Sequence, residues 1–349
     1  MTMAKPNTAN KLTLVVDRAK RPAATTSRAP APVRADLPQL DRDMTVAMAA
    51  HRVLKSCLAH LLDNRLPVLK SDDAEAIHQA RVALRRLRAA IGIFRNALRD
   101  KEIAFLGSEA RWLADELGPA RDIDVFLAEV FEPVAEACKD AEGLASYRGA
   151  ALELQRQRLA RARAALRSRR FGIWRDRFRS WLAADVAPPL AVVPDSDPGV
   201  VGTRYRPIAS YAAEVLTKRD QKTRKRGHHV MHLDAEQRHD LRITVKKLRY
   251  AAEFFSGLYE HSPKRYLKRL SRLQDVLGRF NDVAVAQKLM RDIERATAPK
   301  GVESGSRAST EVHHVSGLVG GWHAARAAAA ERKLRERWRG FLAAGPFWP

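Results

Sequence analysis

His78, Arg81, Arg85 and Arg88 recur 161 positions later as His239, Arg242, Lys246 and Arg249, and Leu87 recurs as Leu248. On a helix, at about 100° per residue, each quartet falls within an arc of roughly 80°. Leu84, Leu87, Ile91 and Phe94 fall on the other side of the first copy, and Leu241, Val245, Leu248 and Phe255 give the second its apolar bulk. Ten residues of helix rise about 15 Å, so each stripe is a short ruler of positive charge. Two such rulers in one chain point to a receptor for a long anion. Arg52 and Lys55 stand out as further candidate contacts upstream. Downstream, Arg156, Arg163, Arg167 and Arg170 form a third stripe, which faces either the same anion or water.

Signatures of bond-breaking chemistry are missing. There is no phosphate-binding Gly-x-x-x-x-Gly-Lys loop, no His-Glu-x-x-His and no Gly-x-Ser-x-Gly. No carboxylate cluster that would hold Mg²⁺ against a phosphate is evident. His228, His229 and His232 have metal-like spacing, but no cysteine accompanies them. The expectation is therefore a binding protein with no catalytic residues, no metal and no cofactor. Asp122 and Asp282 are expected to cap helices and orient neighbouring arginines.

The charge balance agrees. The 349 residues carry a formal net charge of +23, an excess that a polyanion would neutralise. Hydrophobic residues make up 46 %, enough for a core, and sparse aromatics with abundant Ala, Leu and Arg favour helices. With only Cys57 and Cys138, a disulfide framework is not expected and a reducing, cytoplasmic setting fits. No run approaches the 18 or more apolar residues of a membrane span. Residues 1–40, with Pro6, Pro22, Pro30, Pro32 and Pro38 among scattered basic residues, read as a disordered basic tail.

The elements that must carry the stripes follow from periodicity. A first helix starts near Met44, Asp72 or Asp73 caps the next, and that helix runs to about Leu98. Leu117-Gly118-Pro119 reads as a helix stop, after which Arg121-Asp122 opens another helix. A basic helix spans about Ala141–Phe171, and Trp174 to Leu182 closes a first half covering 41–184. After a Pro-rich linker at 185–205, the second half (206–349) replays this order, with Trp322 to Trp338 replacing the long Arg-rich helix. A basic loop from Lys218 to His232 and a Gly/Ser/Thr-rich loop around 297–310 interrupt it. A repeat of this length fits a duplicated helical bundle, each half about four helices. A pseudo-two-fold relation would bring the equivalent stripes to one groove.

The His-x-x-Arg-Val-x-x-Arg-Arg-Leu-Arg pattern from His78 and its Lys-Lys copy from His239 together resemble the CHAD domain, the conserved-histidine α-helical domain. So do the Leu117-Gly-Pro-x-Arg-Asp and Leu277-Gly-x-x-Asn-Asp turns and the terminal Pro346-Phe347-Trp348. The resemblance spans about 42–348. It implies an all-α fold of two antiparallel four-helix bundles related by a pseudo-two-fold repeat, with a basic cavity between them that binds inorganic polyphosphate. It also implies association with polyphosphate granules and, through them, with granule proteins. The implied site residues are His78, Arg81, Arg85, Arg86, Arg88, His239, Arg242, Lys246, Lys247 and Arg249. Polyphosphate offers only charged acceptor oxygens, which suits arginine forks and lysine point charges. Nucleic acid is the rival polyanion, but Asn or Gln on a reading helix and aromatics for base stacking are not interleaved with the stripes. It is expected only as a non-specific competitor. A metal-dependent polyphosphatase is the less supported alternative.

Overall fold

The computed structural model describes residues 30–98, 101–184, 202–297, 307–325 and 327–349, and the regular elements among them are helices. In the first half α1 spans Val46–Asp63, α2 Arg65–Lys70, α3 Ala74–Ile93 and α4 Lys101–Val125. A π-helical segment, Phe126–Phe131, carries α4 on into α5, Glu132–Ala137. The half ends with α6, Leu144–Arg167, and α7, Arg169–Ala184. The second half comprises α8 (Ile208–Arg226), α9 (Ala235–Phe254), α10 (Lys264–Thr297), α11 (Arg307–Ala325) and α12 (Ala327–Leu342).

Side-chain caps fix where the stripe-bearing helices begin. Asp73, not Asp72, caps α3 by accepting from the Glu75 N–H at 2.8 Å. Asp234 and Gln237 form a reciprocal capping box at the start of α9, with bonds of 2.8 and 3.1 Å. The same neighbours then meet in both halves. α1 packs on α3, α3 on α4, and α4 on α6 and α7; likewise α8 packs on α9, α9 on α10, and α10 on α11 and α12.

Where the halves touch, equivalent residues meet each other. The Val46 N–H donates to Arg206 O at 3.0 Å and the Ile208 N–H donates to Met44 O at 2.8 Å. Phe94 meets its counterpart Phe255 edge-on at 6.0 Å. The Tyr211 hydroxyl donates to Ile93 O at 2.6 Å. Reciprocal contacts of this kind are what a local two-fold relation produces. One apolar core runs through both halves. A second cluster joins Ile123–Ala151 to residues of α10 and α11, so the two halves are not separately filled bundles.

Several expected boundaries shift. α3 ends at Ile93, short of Leu98. The Gly118-Pro119 stop is not a stop, because α4 runs straight through it. Leu113, Leu117, Ala120 and Ile123 are buried on both sides of the proline. At about 1.5–3 kcal/mol for each large side chain, their burial outweighs the ~3 kcal/mol that an interior proline costs. Asp122 therefore caps nothing. α10 is equally continuous through Gly278, and nothing is described of the Asp282 side chain. Lys218–Arg226 is not a loop but the last turns of α8, as its run of straight-chain residues without Gly or Pro allows. Trp322 and Trp338 sit on two helices, α11 and α12.

The tail also differs from expectation. Residues 1–29 lie outside the described residues, but 30–40 form a strap docked on α1 and α3. The expected linker at 185–205 lies outside the described residues up to 201, as does the Gly/Ser/Thr-rich loop up to 306. The terminal aromatics pack against α10: Trp348 meets Tyr266 at 5.1 Å and donates from Nε1 to Thr217 Oγ1 at 2.9 Å.

Candidate functional site

His78, Arg81 and Arg85 of α3 and Arg242 and Lys246 of α9 line a single cavity of about 400 Å³. The two stripes, half a chain apart in sequence, thus meet in space. α4 adds Arg121, Asp122 and Val125, the π-helical segment adds Phe126, Glu129 and Val130, and α10 adds Val285, Ala286 and Leu289. Phe126, Val130, Ala286 and Leu289 belong to the second apolar cluster, so the cavity has an apolar floor. Five permanently charged cations stand against two carboxylates. Asp122, Val125, Phe126, Glu129 and Val130 reach the cavity from one continuous face that runs from α4 into the π-helical segment.

Local structure fixes the cationic side chains. Arg81 Nη1 donates to Ala114 O at 2.8 Å. That approach needs a bare backbone, because a Cβ on Gly118 would stand 2.9 Å from Arg81 Nη1. Burial holds the Arg81 pKa below its usual value; Asp122 and Asp115 oppose the shift, and Arg85 and Arg121 add to it. Burial likewise lowers the His78 pKa, with Arg121, Arg85 and Arg81 pushing the same way and Glu75 opposing. In both, lost water and neighbouring positive charge disfavour the protonated form. An anion in the cavity would relieve both.

Not every expected contact reaches this cavity. Arg86 and Lys247 lie about 80° round their helices from His78 and His239, off the stripes. Arg86 is only 4 % exposed. Its guanidinium donates to Asp36 O at 3.1 Å, stacks over Phe254 at 5.1 Å and lies 3.9 Å from Glu253. It also sits beside buried Cys57, whose thiol pKa is pushed up to about 11 by burial, with Arg86 opposing the shift. Arg249 pairs with the same Glu253 at 3.5 Å. Arg88 sits against Arg111 and Asp115 of α4. His239 is exposed and is not among the lining residues. Lys247 lines a different cleft, with Arg219, Lys222 and Arg226.

Four of the five supplementary candidates make contacts within the fold. Arg52 donates to Gln39 O at 2.8 Å and so holds the strap. Arg163 grips Val68 O, Ser71 O and Asp72, while Arg167 reaches Leu69 O at 3.5 Å. Arg170 makes a two-pronged pair with Glu109 and stacks on Trp112 at 4.1 Å. Lys55 is exposed on α1, away from the cavity.

Arg121 and Glu129 were not among the expected contacts. Their signal was the spacing Gly118, Arg121, Val125 along one helical face, hidden by reading Gly118-Pro119 as a terminus. Among the described residues no group of three or more His, Cys, Asp or Glu could hold a metal ion. His228 and His229 touch only each other in this sense, with Nδ1 and Nε2 3.1 Å apart. No helix among the described residues is long and apolar enough to cross a membrane.

Comparison with known proteins adds an independent view. The family described as CHAD domain matches residues 52–291. Rv2226, an uncharacterized protein of Mycobacterium tuberculosis, is 30 % identical over 188 residues, covering 53 % of this chain and 35 % of that protein. The chain thus spans about a third of the length of this curated relative. Among solved structures, the CHAD domain from the plant Ricinus communis is similar with a TM-score of 0.74 and 28 % identity, over 90 % of this chain and 98 % of that one. PptA from Streptomyces chartreusis shares the fold, with a TM-score of 0.57 and 17 % identity over 85 % of this chain and 100 % of its own.

Proposed function

The chain belongs to the CHAD domain family, and on that footing we propose that it binds inorganic polyphosphate in the cavity between α3 and α9. The observation that carries this reading is the convergence of Arg81, Arg85, Arg121, Arg242 and Lys246 on one cavity with an apolar floor. These side chains present only donors, and polyphosphate presents only charged acceptors. Partial exclusion of water makes each such contact stronger than it would be on an open surface. Asp122, which favours the charged form of Arg81, and Glu129 line the same cavity and offset part of its positive charge. In this reading the protein holds the polymer without cleaving it, and it resides on polyphosphate granules.

The test is a titration with long-chain polyphosphate. The double charge reversal Arg85→Glu/Lys246→Glu is expected to weaken binding at least tenfold, while helical circular dichroism stays near that of the wild type. Excess duplex DNA is expected not to displace bound polyphosphate; displacement would favour a general nucleic-acid binder. Release of orthophosphate on incubation with Mg²⁺ or Mn²⁺ would overturn the non-enzymatic part.

A further inference from the structure

The groove between α1 and α3 is filled by the chain's own strap, and the residues that line its counterpart between α8 and α9 are of another chemical kind. In the first half Asn64 accepts from the Val33 N–H at 3.0 Å and donates to Val33 O at 2.8 Å. His60 Nε2 bonds Val33 O at 3.0 Å, and Ser56 and Arg86 donate to Asp36 O at 3.4 and 3.1 Å. Carried across the repeat, offset by 162 on the first helix of each half and 161 on the stripe helix, every one of these positions is a lysine or arginine. Ser56 corresponds to Lys218, Cys57 to Arg219, His60 to Lys222, Asn64 to Arg226 and Arg86 to Lys247.

Among the described residues, α8 and α9 alone line this second groove. A cleft of about 250 Å³ is bounded by Arg219, Lys222, Arg226, Asp240 and Lys247, with Ile243 and Thr244 at its base. It adjoins a shallower one edged by Lys218, Gln221 and Lys225. Arg219 Nη1 donates to Lys247 O at 2.5 Å. Asp240, the one carboxylate among the lining residues, is matched by Arg226 at 3.3 Å. Burial lowers the Lys247 pKa, and Arg219, Lys222 and Arg226 add to the shift.

The swap of residues changes what the groove can hold. Asn64 grips a peptide because it both accepts and donates; arginine and lysine only donate. A peptide laid here would meet few acceptors for its N–H groups, Asp240 and Thr244 apart, whereas a phosphate chain needs none. We propose that the α8–α9 groove is a second anion site that takes a phosphoryl chain, distinct from the cavity between the halves. That the anion is the polymer bound in the cavity rests on the polyphosphate reading; the groove's demand for an acceptor-only anion does not.

Lysine acetylation followed by mass spectrometry, with and without tripolyphosphate, tests this on the full chain. Lys222 and Lys247 are expected to be labelled several-fold more slowly in its presence, with exposed Lys55 unchanged as the control. The same protection is expected in Arg85→Glu/Lys246→Glu, whose cavity is disabled. Unchanged labelling of Lys222 and Lys247, or protection that disappears in that variant, overturns an independent site. Protection that persists while the variant binds long-chain polyphosphate like the wild type would sink the cavity reading and leave the groove standing. Lys222→Glu/Arg226→Glu, reversed on a solvent-facing helix surface, is expected to abolish the protection of Lys247.

Discussion

At the level of single residues, adjacent basic side chains serve different ends. Arg85 points into the cavity while Arg86, one position on, is built into the contact between the halves. Arg86→Ala removes a charge-assisted bond to the strap and a stacking contact, so a loss of about 2 kcal/mol of stability is expected. Chemical denaturation should show that loss, with polyphosphate affinity corrected for folding nearly unchanged. His78 makes a pH prediction. Its pKa in the folded, unliganded protein lies below the ordinary 6.5, mainly through burial. Its contribution to stability is therefore full above about pH 6.5 and is lost as the pH falls through the folded value. A bound polyanion raises that pKa, so polyphosphate affinity should climb as the pH drops from the bound value towards the unliganded one. His78→Gln should flatten this part of the profile; identical slopes in both proteins would assign the effect elsewhere.

Among the elements, α4 and the π-helical segment decide the cavity's shape as much as the stripe helices do. Gly118→Ala improves intrinsic helix propensity by up to about 1 kcal/mol, yet its Cβ would collide with the Arg81 guanidinium. A several-fold loss of polyphosphate affinity with little change in melting temperature is expected from calorimetric titration. The stripe helices themselves were legible in the sequence. The cap of α3, the 161-residue repeat and the 80° arc of His78, Arg81 and Arg85 all follow from local spacing, whereas the Asp234–Gln237 capping box of α9 went unread. The continuity of α4 was not legible, because Gly-Pro is a local stop signal and only burial of Leu117, Ala120 and Ile123 in the assembled core overrides it. The third stripe misled for a related reason. Arg163 lies on α6 but Arg170 on α7, beyond a break at Ser168, and Asp72, ahead of α3, and Glu109 of α4 engage them.

For the molecule as a whole, a net charge of +23 makes salt and ligand the main levers. With five cavity cations and roughly 0.7–0.9 per contact, as for nucleic acid, log Kd should rise with log salt at a slope of about 4. A slope near zero would mean that the cavity cations do not engage the ligand. At a hundredfold excess over Kd, bound polyphosphate should add about 2.7 kcal/mol and raise the melting temperature by several degrees, an effect that salt should erode. Helix, charge and duplication were settled by the order of residues alone, because capping, periodicity and repeat spacing act over a few turns of chain. Tertiary structure settled which cations converge. Arg121 joins the cavity, Arg86 is buried between the halves and Lys247 faces a second groove, because side-chain direction depends on which helices pack across from each stripe, and that is a property of the closed core.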